Sequence, residues 1–120
     1  MSRVLLVEDE PWLGELYVKL LQAAGHEVVW RRDPYDAMEV LSEQSVDRLV
    51  LDLLLPWANG LQLLNELASH TDLATIPTIL CSAVPTRLTT DQCELYNITA
   101  VLDKTTMKPS DLVATIQGSC

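Results

Sequence analysis

Short, wholly apolar runs alternate along this chain with longer stretches whose apolar residues recur every three or four positions. That alternation limits the fold more than any other feature. Val4-Leu5-Leu6-Val7 reads as a strand buried on both faces, the pattern of a parallel sheet. It stops at Glu8-Asp9-Glu10, and Pro11 suits the first turn of a helix with Leu13, Leu16, Tyr17, Leu20, Leu21 and Ala24 inward and Gly25 at its end. Glu27 to Arg31 predicts a second strand, more exposed and so at an edge. Asp33-Pro34 predicts the cap and first turn of a helix that faces Ala37, Val40 and Leu41 inward. A third strand ends at Asp52, and a third helix from near Gly60 carries Leu63, Leu64 and Leu67. Ile76-Pro77 introduces a fourth strand, Thr78 to Ser82, and a weakly patterned helix is expected between Thr86 and Tyr96. Ala100-Val101-Leu102 is a short fifth strand, and Pro109 to Gln117 a last helix with Leu112, Val113 and Ile116 inward. Five β-α units in 120 residues predict an α/β fold, a doubly wound parallel sheet with helices on both faces.

In such a sheet the functional site lies at the carboxyl ends of the strands, beside the point where strand order reverses. Strand one ends in Glu8-Asp9-Glu10, strand three in Asp52, strand four in Ser82 and strand five in Lys104. Acid, acid, hydroxyl and ammonium therefore meet at one rim. Asp52 is the hardest to explain structurally, because leucines flank it on both sides. A carboxylate there costs several kcal/mol unless a metal, a cation or hydrogen bonds compensate it. A carboxylate can also attack phosphorus to form an acyl phosphate, a transfer helped mainly by positioning and charge stabilisation.

The charge balance of 8 basic against 17 acidic residues, net −9, disfavours contact with nucleic acid or an anionic membrane surface. The acids suit a divalent cation instead. No apolar run is long enough to span a bilayer, and acidic residues come too early for a signal peptide. Cys81, Cys93 and Cys120 share no metal-ligand spacing and are expected to be reduced thiols of a cytoplasmic protein. Trp12 and Trp57 are expected to pack over loops near the rim, and His26 and His70 to lie on the surface.

The whole chain resembles the receiver domains of two-component response regulators, including the stand-alone chemotaxis type. The resemblance is carried by Glu8-Asp9, by D-L-x-L-P-x-x-x-G from Asp52 to Gly60, by Ser82-Ala83 thirty residues beyond Asp52, and by Lys104 fifty-two residues beyond it. It implies one receiver domain over residues 1–120 with flavodoxin-like strand order 2-1-3-4-5. Asp52 would be the phosphoacceptor. Glu8, Asp9, Asp52 and the backbone carbonyl of Leu54 would ligate Mg²⁺ (or Mn²⁺), a hard cation that prefers oxygen ligands. Ser82 and Lys104 would contact the phosphoryl group, with Ala83 leaving it space. The implied partners are a histidine kinase or phosphotransfer protein and an unknown output protein, with no nucleic acid and no membrane, for a monomer or weak dimer. The implied role is that of a switch, not an enzyme with substrate turnover.

Three departures from the family pattern stand out. Thr105 replaces the usual proline after the lysine, Val101 stands where an aromatic switch residue is common, and Glu8 takes the place of the commoner aspartate. Leu54 and Val84 flank the line along which water would approach an acyl phosphate, and neither can orient a water, so slow self-dephosphorylation is expected. Two rivals come from other classes. A haloacid-dehalogenase-like phosphatase would need a general acid where Leu54 stands. A phosphorylation-independent pseudo-receiver, a protein-interaction module of the same architecture, fits Thr105 and Val101. A flavodoxin-type phosphate site is disfavoured by the acidic loop after strand one.

Overall fold

Each apolar run becomes a strand and each periodic stretch a helix. The computed structural model describes residues 2–52, 57–82 and 89–118, with the backbone alone described for 57–61 and 118. The elements are β1 (Arg3–Glu8), α1 (Pro11–Ala23), β2 (Glu27–Arg31), α2 (Pro34–Glu43), β3 (Arg48–Asp52), α3 (Trp57–Ala68), β4 (Thr78–Ser82), α4 (Thr90–Leu95), β5 (Ile98–Asp103) and α5 (Pro109–Gly118). All strand pairings are parallel, in the order β2-β1-β3-β4-β5. The order reverses between β1 and β3, which makes the carboxyl ends of those two strands the switch point.

Burial follows position in the sheet. β1 and β3 sit inside and are almost wholly buried, whereas β2 and β5 are the edges and stay half-exposed. Side chains alternate between two cores because successive residues of a strand point to opposite faces. Leu5, Val7, Leu49 and Leu51 face α2 and α3. Val4, Leu6, Val50, Ile79 and Cys81 face α1 and α5, with Leu21, Leu112 and Ile116 packed on them.

Local chemistry sets the helix ends. The Asp33 carboxylate accepts from the backbone N–H groups of Tyr35 (2.8 Å) and Asp36 (3.0 Å), which caps α2. Gly25 follows α1 with φ +95°, a conformation that glycine adopts without strain.

Four expectations need correction. α3 begins at Trp57, one turn before Gly60. A glycine in the first turn costs only about 1 kcal/mol against alanine, less than burying Leu63, Leu64 and Leu67 returns. α4 runs Thr90–Leu95, started by the Thr89–Gln92 capping box, and residues 86–88 of the expected stretch lie outside the described residues. Trp12 is 65% exposed rather than packed over a loop. His26 is half-buried, and both ring nitrogens are shielded from water with no hydrogen-bond partner among the described residues. His70 is exposed beside Glu66, as expected. The Trp57 side chain lies outside the described residues. Among the described residues, no helix is long and apolar enough to cross a membrane.

Candidate functional site

Strand parity and register build the site. Glu8 pairs with Asp52 across β1 and β3, and Asp52 pairs with Cys81 across β3 and β4. All three share parity with residues that face α1 and α5, so their side chains form one lateral row on that face. Cys81 in turn pairs with Leu102, and Lys104 has the parity of Leu102 one step beyond the end of β5. The Lys104 backbone N–H donates to the Ser82 carbonyl at 2.8 Å, extending the β4–β5 ladder by one bond. Its side chain then reaches over Cys81 to the acids.

The result is a buried cluster. Glu8 and Asp52 are both 0% exposed. Lys104 Nζ lies 2.7 Å from Asp52 Oδ1 and 3.5 Å from Glu8 Oε1. Glu8 Oε1 also accepts the Glu10 backbone N–H at 2.9 Å. Burial, then the neighbouring charge of Asp52, pushes the Glu8 carboxyl up to about 9, with the Glu10 N–H and Lys104 opposing. Burial pulls the Lys104 amine down, but contact with Asp52 and the charges of Glu8 and Asp9 outweigh it and hold the amine above its ordinary range. Burial and then Asp52 and Glu8 also raise the Cys81 thiol, so it is a neutral wall of the cluster.

The donor set fits a hard divalent cation. As carboxylates, Glu8 Oε2 and Asp52 Oδ2 are buried with no hydrogen-bond partner among the described residues, and such oxygens need a proton or a cation. Among the described residues, no three groups of metal-ligating type meet in a ready-made cluster. Lys104 supplies the compensating charge instead.

Of the residues expected at the site, Glu8, Asp52 and Lys104 are in contact. Asp9 is half-buried, and its charge acts on the Lys104 amine. Ser82 ends β4 beside them, half-buried. Leu54, Ala83 and Val84 lie outside the described residues. Thr105 does what a proline there could not: its N–H (2.9 Å) and hydroxyl (2.6 Å) both donate to Asp103 Oδ1. Val101 is 46% exposed on the edge strand.

Two residues of the site went unrecognised as such in the sequence. Tyr17, expected only as core, is 2% exposed. It packs in the same core as Cys81, and burial and then the charges of Asp52, Cys81 and Glu8 push its phenol up. Trp30 donates its indole N–H to the Glu8 carbonyl at 3.0 Å. A polar-tipped aromatic on an inward stripe was the available signal for Tyr17; Trp30 gave none, since contact with Glu8 depends on strand register. A groove of about 610 Å³ lined by Tyr35, Met38, Leu63 and Glu66 belongs to the opposite, α2–α3 side and includes none of these groups.

A family model described as the response regulator receiver domain matches residues 4–117. The chain is 39% identical over 61 residues to the uncharacterized transcriptional regulatory protein YbdJ of Bacillus subtilis, across 51% of this chain and 26% of that protein. It is 29% identical over 98 residues to the polar-differentiation response regulator DivK of Brucella anthropi, across 78% and 80% of the two chains. The Mn²⁺-bound form of response regulator Rcp1 superposes with a TM-score of 0.74 at 26% identity, over 98% of this chain and 91% of that one. The match to YbdJ and to two further transcriptional regulators spans only 26–32% of their length.

Proposed function

The chain belongs to the response regulator receiver family, and from that premise we propose that Asp52 accepts a phosphoryl group from a histidine kinase or a phosphotransfer protein. The carrying observation is the fully buried Asp52 at the switch point, 2.7 Å from the Lys104 amine.

An Asp52 carboxylate oxygen attacks phosphorus as the bond to the donor's imidazole nitrogen breaks, and the imidazole takes a proton from solvent. Lys104 moves from pairing with Asp52 to pairing with a phosphoryl oxygen, so its charge stays compensated throughout. The Ser82 hydroxyl, next to Lys104 through the β4–β5 ladder, donates to a second oxygen. Glu8, Asp9, Asp52 and the Leu54 carbonyl would hold Mg²⁺ (or Mn²⁺), as Rcp1 holds Mn²⁺. When bound, that ion neutralises charge on the phosphoryl oxygens. Glu8 must lose its proton first. Transfer of the Lys104 and Ser82 contacts pulls on the ends of β4 and β5, and the output is a changed protein-contact face. Residues 1–120 act as one receiver unit.

The alternative is a phosphorylation-independent interaction module. It draws support from Lys104 already compensating the acids and from Val101 in place of an aromatic. Tryptophan emission titrated with Mg²⁺ and then beryllofluoride separates the two readings. A metal-dependent response that Asp52→Asn abolishes supports phosphoacceptance, whereas a flat titration with intact folding favours the interaction module.

A further inference from the structure

The backbone carbonyls of the acid pair are claimed by the edge strand and by the residue that follows it. Trp30 Nε1–H donates to the Glu8 carbonyl at 3.0 Å, and Arg32 Nη2 donates to the Asp9 carbonyl at 3.2 Å. Trp30 is the last-but-one residue of β2, and it pairs with Leu6 of β1, two residues before Glu8. Its indole therefore runs along the end of β1 toward the rim. The ring lies directly on Gly14, in the first turns of α1. A methyl group at position 14 would overlap Cζ2 and Cε2 of the indole. Gly14 is thus the space into which the ring fits. β2, β1 and α1 are locked together at the peptide that carries Glu8 and Asp9.

That lock orients the acids. With its carbonyl turned to Trp30, Glu8 sends its side chain into the buried row, where Oε1 meets the Glu10 N–H and Lys104. With the Asp9 carbonyl turned to Arg32, the backbone is fixed on both sides of the link between the two acids. Partners that orient metal ligands typically change metal affinity by about 10- to 100-fold when lost.

We propose that Trp30, seated on Gly14 and assisted by Arg32, is a positioning residue that sets the divalent-cation affinity of Glu8 and Asp9 from the edge strand. This rests on the acid row being a metal end, so the wild-type chain is measured first. The probe is Mn²⁺, followed by the paramagnetic resonance signal of the unbound ion, with thermal unfolding recorded in parallel.

Trp30→Phe, which keeps a ring but removes the N–H, should weaken Mn²⁺ binding by about tenfold. Gly14→Ala, which keeps the N–H but evicts the ring, should do the same. Val28→Ala, a packing loss elsewhere on β2, should lower the melting temperature and leave Mn²⁺ affinity within about twofold, as expected for a site it does not touch. The decisive readout is Gly14→Ala combined with Trp30→Val. Relieving the overlap should recover thermal stability relative to Gly14→Ala alone, yet Mn²⁺ binding should stay weak because the Glu8 carbonyl still lacks its donor. Metal affinity that returns with stability, or a folded Trp30→Phe that binds as wild type does, overturns the proposal while leaving phosphoacceptance intact. A wild-type chain that binds no Mn²⁺ overturns both.

Discussion

Lys104 Nζ sits 2.7 Å from Asp52 Oδ1, although fifty-two residues separate them in sequence, and both side chains are nearly or wholly out of water. The amine also reaches Glu8 at 3.5 Å. One amine therefore meets two buried acid groups and compensates the Asp52 carboxylate.

Removing that cation has a predictable cost. Lys104→Met should destabilise the protein by about 3 kcal/mol at neutral pH, because the buried Asp52 carboxylate loses its counter-charge beside a Glu8 carboxyl that already carries a proton. Urea unfolding at neutral pH checks this, and an unchanged midpoint would show that the pair is solvated in solution.

Glu8 makes stability depend on pH in a defined direction. Its carboxyl is held near 9 in the fold against 4.5 for an ordinary glutamate. Between those values the folded state binds more protons than the unfolded, so the unfolding free energy should fall as pH rises. The raised Lys104 amine contributes stability below its unfolded value near 10.5 that is lost only as pH passes its folded value, outside this window. Glu8→Gln should flatten the slope. Mg²⁺ competes with the Glu8 proton, so its affinity should strengthen from about pH 6 to about pH 9. Calorimetric titration across that range is the measurement; affinity independent of pH removes Glu8 from the metal end.

Thr105 anchors the loop after β5 through two bonds to Asp103. Thr105→Pro, which installs the residue common in the family, removes both donors and should lower stability by about 1 kcal/mol or more. Thermal denaturation tests it. A gain in stability would mean the Asp103 contacts are incidental.

The lifetime of an acyl phosphate on Asp52 follows from residue type alone. Neither Leu54 nor Val84 can orient a water, so decay should be slower than in a Leu54→Asn, Val84→Glu variant. Equal decay of the two phosphorylated forms in Mg²⁺ buffer would refute it.

Much of the fold was legible because its causes are local. The apolar runs marked all five strands, and β2 and β4 agree with expectation to the residue. Asp33-Pro34 announced the start of α2, where a carboxylate two residues from an orphan N–H needs no tertiary help. α4 was legible only in outline. It buries no residue, so no apolar stripe betrays its limits, and a cap at Thr89 decides them. Trp12 misled because an aromatic near a rim suggests packing, and only the finished surface leaves it 65% exposed.

The sequence by itself determined which chemical groups end each strand and, through the two-residue period of a strand, that Glu8 and Asp52 share parity with core residues of one face. It could not determine distance. That the Lys104 amine meets Asp52, that Tyr17 is buried in the core beside Cys81, and that the Trp30 ring fits the missing side chain of Gly14 were decided only by tertiary structure. Such contacts depend on the register of parallel strands joined through intervening helices and on the volumes left between packed elements. No local pattern carries either quantity, because each belongs to pairs of segments and not to a segment.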